Sequence, residues 1–254
     1  MRLNGLVAVC FSVGALIIGN DLGATTLSSP TTVELFERAE LLVQAVVVGV
    51  EYRNSDMDRN HPLSLPHTFV TLQIERAHKG SAQSGNLITL RFQGGPDGAG
   101  NVLLIPGVPL FDVGDRDVLF IRGNGTELVP LVGWQQGRFR IVNDLVYSDE
   151  GEEVWLTDSG ELVLGEPQPL VEVTTHDLGG STLQLNAQVG VQRRELPAGA
   201  RRMSAGRFTK FIEDAVRRLG HQAAKVQLAQ PSVDIRDQFF VEGLPGAAPP
   251  TPSR

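Results

Sequence analysis

The run L-L-V-Q-A-V-V-V-G-V, Leu41 to Val50, constrains the fold more than any other stretch of this chain. It is rich in β-branched residues and almost continuously apolar. A strand of that kind is buried on both faces over part of its length, not wetted on one side. A second strand follows at Thr68–Ile74, where Val70, Leu72 and Ile74 alternate with Thr71, Gln73 and Glu75. It stops at the basic turn His78-Lys79-Gly80. Leu87–Phe92, Val102–Ile105, Val118–Arg122, Leu128–Val132 and Phe139–Val142 read as further strands. Asn124-Gly125 signals a hairpin between two of them. Residues 54–66 form a polar loop with two prolines, and Gly94–Gly100 forms a flexible one.

Helices are few. Thr31 and Glu34 have the spacing of a capping box, so a short helix runs to about Glu40. Near the other end Phe208, Phe211, Ile212, Ala215, Val216 and Leu219 recur at helical spacing, with Ser204 at the start and Gly220 at the stop. Glu213 and Arg217, and Asp214 and Arg218, are placed to pair at i,i+4. Between these helices, from Asp144 on, shorter acidic hairpins (Val154–Leu156, Glu161–Leu164) lead into residues 165–200, whose weak periodicity predicts a poorly packed excursion.

The predicted fold class is mainly β: an OB-like small β-barrel with a short N-terminal helix, β-hairpin extensions and a C-terminal amphipathic helix. The expected organisation is a signal peptide over 1–24, a barrel over 25–145, a hairpin extension over 146–200, a helix over 201–220 and a disordered tail over 221–254. Arg2, the apolar run Leu6–Ile18 and the small residue Ala24 carry the signal-peptide reading. The mature chain would start at Thr25-Thr26 and be secreted or periplasmic, without stable membrane insertion. Cys10, the single cysteine of the 254 residues, would be lost with the signal, leaving no disulfide and no thiolate site. At 41% hydrophobic and a formal net charge of -7, the chain can build a core and lacks the basic footprint of a nucleic-acid binder.

Three segments carry a resemblance. Glu37–Val47 (E-R-A-E-L-L-V-Q-A-V-V), Val70–Gly80 (V-T-L-Q-I-E-R-A-H-K-G) and Phe111–Phe120 (F-D-V-G-D-R-D-V-L-F) resemble a family of uncharacterised secreted bacterial proteins. Gly133–Arg140 (G-W-Q-Q-G-R-F-R) fits the same family. Their order is similar to that of the N-terminal domain of tissue inhibitors of metalloproteinases, an oligonucleotide/oligosaccharide-binding (OB) barrel. The resemblance covers about residues 31 to 142. It implies a barrel in which Lys79-Gly80 is a family turn, and a protein partner, with a secreted protease as the candidate. It does not extend to the inhibitors' Cys-x-Cys start, since Thr25-Thr26-Leu27 stands there.

No catalytic constellation is present. The histidines at 61, 67, 78, 176 and 221 lie outside H-E-x-x-H spacing. Asp56–Asn60 mimics the opening of a calcium loop but has His61 where glycine belongs, so it reads as solvated loop. There is no G-x-S-x-G elbow and no phosphate loop. Asp149-Glu150 and Glu152-Glu153 read as solubilising turn carboxylates. The reading is therefore a non-enzymatic binding protein with no cofactor and no metal. The residues offered for partner contact are Thr25, Thr26, Trp134, Phe239 and Phe240. Two alternatives are a carbohydrate or cell-wall binding module that uses Trp134 and Trp155 as stacking platforms, and a metal-dependent enzyme.

Overall fold

The computed structural model describes residues 30–55, 64–185 and 195–223. In chain order the elements are α1 (Thr32–Arg38), β1 (Leu41–Asn54), β2 (Pro66–Lys79), β3 (Leu87–Gln93), β4 (Gly95–Pro96), β5 (Val102–Leu103), β6 (Arg116–Ile121), β7 (Arg138–Val142), β8 (Leu145–Ser148), β9 (Glu152–Leu156), β10 (Leu162–Pro167), α2 (Val171–Thr174), β11 (Thr175–Asp177), β12 (Thr182–Gln184), β13 (Arg201–Arg202) and α3 (Ala205–Ala223). The protein is mainly β. One antiparallel sheet of nine strands runs in the order β10-β9-β8-β7-β6-β1-β2-β3, with β13 joined to β9. Among the described residues no helix is long and apolar enough to cross a membrane.

The two-faced burial expected of Leu41–Val50 organises the molecule. Leu41, Val43, Ala45 and Val47 point to one side, where they pack with Val70, Leu72, Ile74, Leu90, Phe92 and Phe111. Leu42 points to the other side, toward α1 and α3, where Phe36, Phe120, Phe139, Phe208 and Ile212 meet. β6 repeats the division: Leu119 and Ile121 join the first cluster, Val118 and Phe120 the second. Two cores thus share a two-strand wall, which explains why β1 and β6 lack the polar alternation of a half-wetted strand. The second core is aromatic. Phe120 makes edge contacts with Phe36 at 5.1 Å and Phe139 at 5.7 Å between ring centroids.

Among the described residues the strand pairing is open-ended from β10 to β3, with no closed barrel of strands. The gap between β3 and β6 is spanned by residues 124–132. On one side Gln93 N–H donates to the Leu128 carbonyl, and the Asn124 side chain accepts from Arg91 N–H and donates to the Thr89 carbonyl. On the other, Arg122 N–H reaches the Pro130 carbonyl and Val132 N–H reaches that of Phe120. The Asn124-Gly125 signal therefore marks a turn whose second arm is not a strand. Among the described residues a single bridge, Ile121 to Leu131, is all the regular pairing it makes.

Beyond β7 the sheet continues through β8, β9 and β10, and Val146 and Val154 complete the aromatic core. The β8–β9 hairpin splays into a fork, and residues 201–205 lie inside it. Met203 N–H donates to the Val154 carbonyl, and the Met203 carbonyl accepts from Val146 N–H. α3 follows at once. It runs to Ala223, three residues past the expected stop at Gly220, which lies within the helix. Its carboxylates make two ion pairs. Glu213 reaches Arg76 of β2 at 2.9 Å, and Asp214 takes Arg217 at i,i+3.

The capping box forms as spaced, with Thr31 Oγ1 accepting from Glu34 N–H and the Glu34 carboxylate accepting from Thr31 N–H. The basic turn Lys79-Gly80 has a local reason. Lys79 Nζ donates to the carbonyls of Phe36 and Glu37, two open acceptors at the end of α1. Gly80 sits at φ +93, where a Cβ would stand 2.8 Å from Leu41 Cδ1 and 3.1 Å from the Glu40 carbonyl oxygen. Gly80→Ala is expected to destabilise by about 1–3 kcal/mol, from strain plus the clash. Gly85→Ala, at φ +86 with open space around it, should cost only the backbone strain. Denaturant midpoints of the two variants, side by side, check the difference.

Candidate functional site

The site is built on β7, whose sequence R-F-R-I-V places Arg138 and Arg140 on one face and Phe139 and Ile141 on the other. Both arginines are buried, at 1% and 2% exposure. Arg138 Nε donates to Asp117 Oδ2 at 3.0 Å, Nη2 lies 2.7 Å from Asp115 Oδ2, and Nη1 lies 2.9 Å from Asp149 Oδ1. Its Nη1 also donates to the Leu110 carbonyl, and its guanidinium sits 3.9 Å over the Phe111 ring. Arg140 Nη2 donates to Asp115 Oδ1 at 2.7 Å, and its Nη1 donates to the Val173 carbonyl at 3.1 Å. Two guanidiniums thus face three carboxylates.

Asp117 is the most enclosed of the three carboxylates. It has no exposure, and its Oδ1 finds no hydrogen-bond partner among the described residues. Burial pushes its carboxyl up to about 6 against the pull of Arg138, with Asp115 adding repulsion. Arg138 moves the other way: despite burial, its carboxylate neighbours hold it firmly protonated.

This cluster anchors the stretch predicted to be poorly packed. Arg140 holds α2 through the Val173 and Glu172 carbonyls. Asp112 binds His176 Nδ1 at 2.8 Å and Asp177 N–H at 2.7 Å. Burial alone would raise the Asp112 carboxyl, but these two donors hold it below its ordinary value. Tyr52 donates its hydroxyl to the Asp177 carbonyl, and burial with the nearby Asp112 and Asp177 charges pushes its phenol up to about 12. Val173, His176 and Leu178 are buried as a result. Residues 170–178 are therefore a docked wall, which corrects the expectation of loose packing for that part of 165–200.

Between this wall and loop 103–110 lies a cavity of about 390 Å³. Its apolar lining includes Leu103, Ile105, Val108, Leu110, Val173 and Leu185, and its floor is Thr68 with Gln93–Gly95. Asp149, Glu150 and Glu152 stand along one side, and no Lys or Arg lines it among the described residues. Asp149 is not the free turn carboxylate expected, since it pairs with Arg138. Glu153 is likewise held by Arg202 at 2.8 Å. Glu150 is exposed and accepts from Gln135 Nε2.

Trp134 stands behind the cavity, not in its mouth. It is half-buried at φ +61, packs on the first core and lies under Gly107, whose hypothetical Cβ would meet Trp134 Cε3 at 3.2 Å. Trp155 is on β9, half-buried, against Gly165 and hydrogen-bonded to Glu153. The two tryptophans thus belong to separate elements. Thr25, Thr26, Phe239 and Phe240, like the calcium-loop mimic Asp56–Asn60, lie outside the described residues. Pro30, the first described residue, packs at Gly133 on the rim of a groove of about 690 Å³ that shares Gln135, Asp149 and Glu150 with the cavity. Among the described residues no three His, Cys, Asp or Glu side chains converge as metal ligands would.

Sequence reasoning missed Arg138, Arg140, Asp115 and Asp117. The signal was available: two arginines two residues apart on a strand, and D-x-D two residues apart where another strand begins. Both spacings put like charges on one face, and only mutual pairing makes such a face buriable.

The fold and the site together define an antiparallel β protein with two cores and an acidic cavity rimmed by apolar side chains. No protein-family model matches the chain, and no curated protein matches it in sequence.

Proposed function

We propose that this is an exported, non-enzymatic binding protein that engages another protein through the rim of the 390 Å³ cavity. One observation carries the reading. Leu103 and Leu104 line the cavity, and with Val102 they form a consecutive exposed apolar run in which Leu104 is 48% exposed. Exposed apolar surface beside a preformed cavity marks an interaction site. The rigid ion cluster beneath supports it, because a contact surface held in place loses little entropy on binding.

The barrel belongs to the same proposal. We read β6, β1, β2 and β3, joined by the hydrogen-bonded bridge 124–132, as an OB-like barrel sealed by a non-strand segment. The resemblance to the N-terminal domain of metalloproteinase inhibitors favours a secreted metalloprotease as the partner. It also favours a mode of contact different from theirs, since no cysteine stands at the start of the expected mature chain.

The test is crosslinking of the purified full chain to proteins of the exported fraction, followed by reconstitution of the captured complex from purified components. One exported protein bound by the parent chain and lost in Leu104→Asp is the expected result, with affinity down at least tenfold. An exported fraction that yields no crosslinked protein overturns the reading.

A further inference from the structure

We infer that the cavity recognises a particular chemistry: a partner segment that inserts an apolar side chain and lays a Lys or Arg against Glu150. The inference rests on the binding-protein reading above and specifies what is bound. Three observations combine.

The first is the lining, which is apolar over loop 103–110, Val173 and Leu185 and so favours an apolar insert. The second is the extent of the rim. Val102, Leu104 and Leu185, at 39%, 48% and 44% exposure, continue the apolar surface past the mouth. A small molecule confined to the cavity would leave that rim in water, whereas a polypeptide segment covers both. The third is charge. Asp149, Glu150 and Glu152 line one side, and no Lys or Arg lines the cavity among the described residues. Arg138 and Arg140, beneath it, are buried and committed to Asp115, Asp117 and Asp149. Carboxylates beside an apolar wall attract a cation more strongly than they would in open solvent, and the net charge of -7 adds long-range attraction.

The experiment uses three fluorescein-labelled peptides of equal length, followed by anisotropy on the full chain. One alternates leucine with arginine, one leucine with glutamate and one serine with arginine. The leucine–arginine peptide is expected to bind at least tenfold more tightly than either of the others. Its affinity should fall as salt rises, and should fall about tenfold in Glu150→Lys and in Leu104→Asp. Leu87→Asp, a 63%-exposed position at the far end of β3 from Gln93, should leave it unchanged. Equal binding of all three peptides, or binding indifferent to Glu150→Lys and Leu104→Asp, overturns the inference.

The same variants separate this inference from the function on which it rests. An exported partner held equally well by the parent chain and by Glu150→Lys preserves the binding-protein reading and removes this recognition chemistry. Peptide discrimination without any captured exported protein does the reverse.

Discussion

Replacing Arg138 by methionine is expected to lower the melting temperature by roughly 10 °C at pH 8, and by clearly less at pH 5. The side chain is 1% exposed and compensates Asp115, Asp117 and Asp149. Removing one partner of a buried ion pair leaves charge uncompensated and costs about 3–5 kcal/mol, far more than the pair itself contributes. The pH dependence follows from Asp117. Its folded pKa of about 6 lies above the ~3.9 of an unfolded aspartate. Between those values the folded chain holds a proton that the unfolded chain has released. This group's contribution to stability is therefore greatest below about pH 4 and is lost as pH rises through 6. Asp117→Asn removes that slope, and should gain on the parent chain by on the order of 2 kcal/mol between pH 4 and pH 7. Thermal melts of the parent chain and both variants at several pH values read all of this. If Arg138→Met lost the same amount at pH 5 and pH 8, the cause would be lost packing on Phe111, not charge.

Phe120→Ala is expected to cost about 3–5 kcal/mol at any pH, through the cavity left behind. Phe120 has no exposure and touches Phe36 of α1 and Phe139 of β7 at once. It is the ring on which the helical layer rests, so the loss should appear as loosening of α3. Amide exchange in α3 should rise earlier than in β2 and β3, whose core lies across the sheet from Phe120. Equal acceleration in α3 and in β2–β3 would show that the two cores open as one unit.

What the sequence revealed was local or periodic. The double burial of Leu41–Val50, the alternation of Thr68–Ile74, the box at Thr31 and Glu34, and the apolar stripe from Phe208 to Leu219 all describe how a segment meets its immediate layer. What stayed hidden depends on partners distant in the chain. Nothing near Arg138 announces that it will be buried, because its carboxylates lie 21, 23 and 11 residues away. The wall at 170–178 looked loose because its anchors, Asp112 and Tyr52, lie 65 and 125 residues upstream of Asp177. Gly220 reads as a stop because a glycine there often caps a helix, yet the helix passes through it. The cavity itself has no linear signature. Loop 103–110 supplies one side, and the other comes from residues some seventy positions later.

The fork in the β8–β9 hairpin bears on how the chain comes to be made. Residues 201–205 fill the fork, and α3, immediately behind them, caps the aromatic core. During synthesis from the first residue onward, every strand from β1 to β10 is present before that filler exists. Until about residue 212 is available, Phe36, Phe120, Phe139, Val146 and Val154 have no cover, and two strand ends stand open to any other chain. The nascent protein therefore passes through a long interval as a sticky, unfinished sheet, and its completion is a late, long-range event. Until that helix forms, a chain with this build keeps apolar surface and open strand edges exposed. Its premature release ahead of the last helix would produce aggregates, not a smaller working domain.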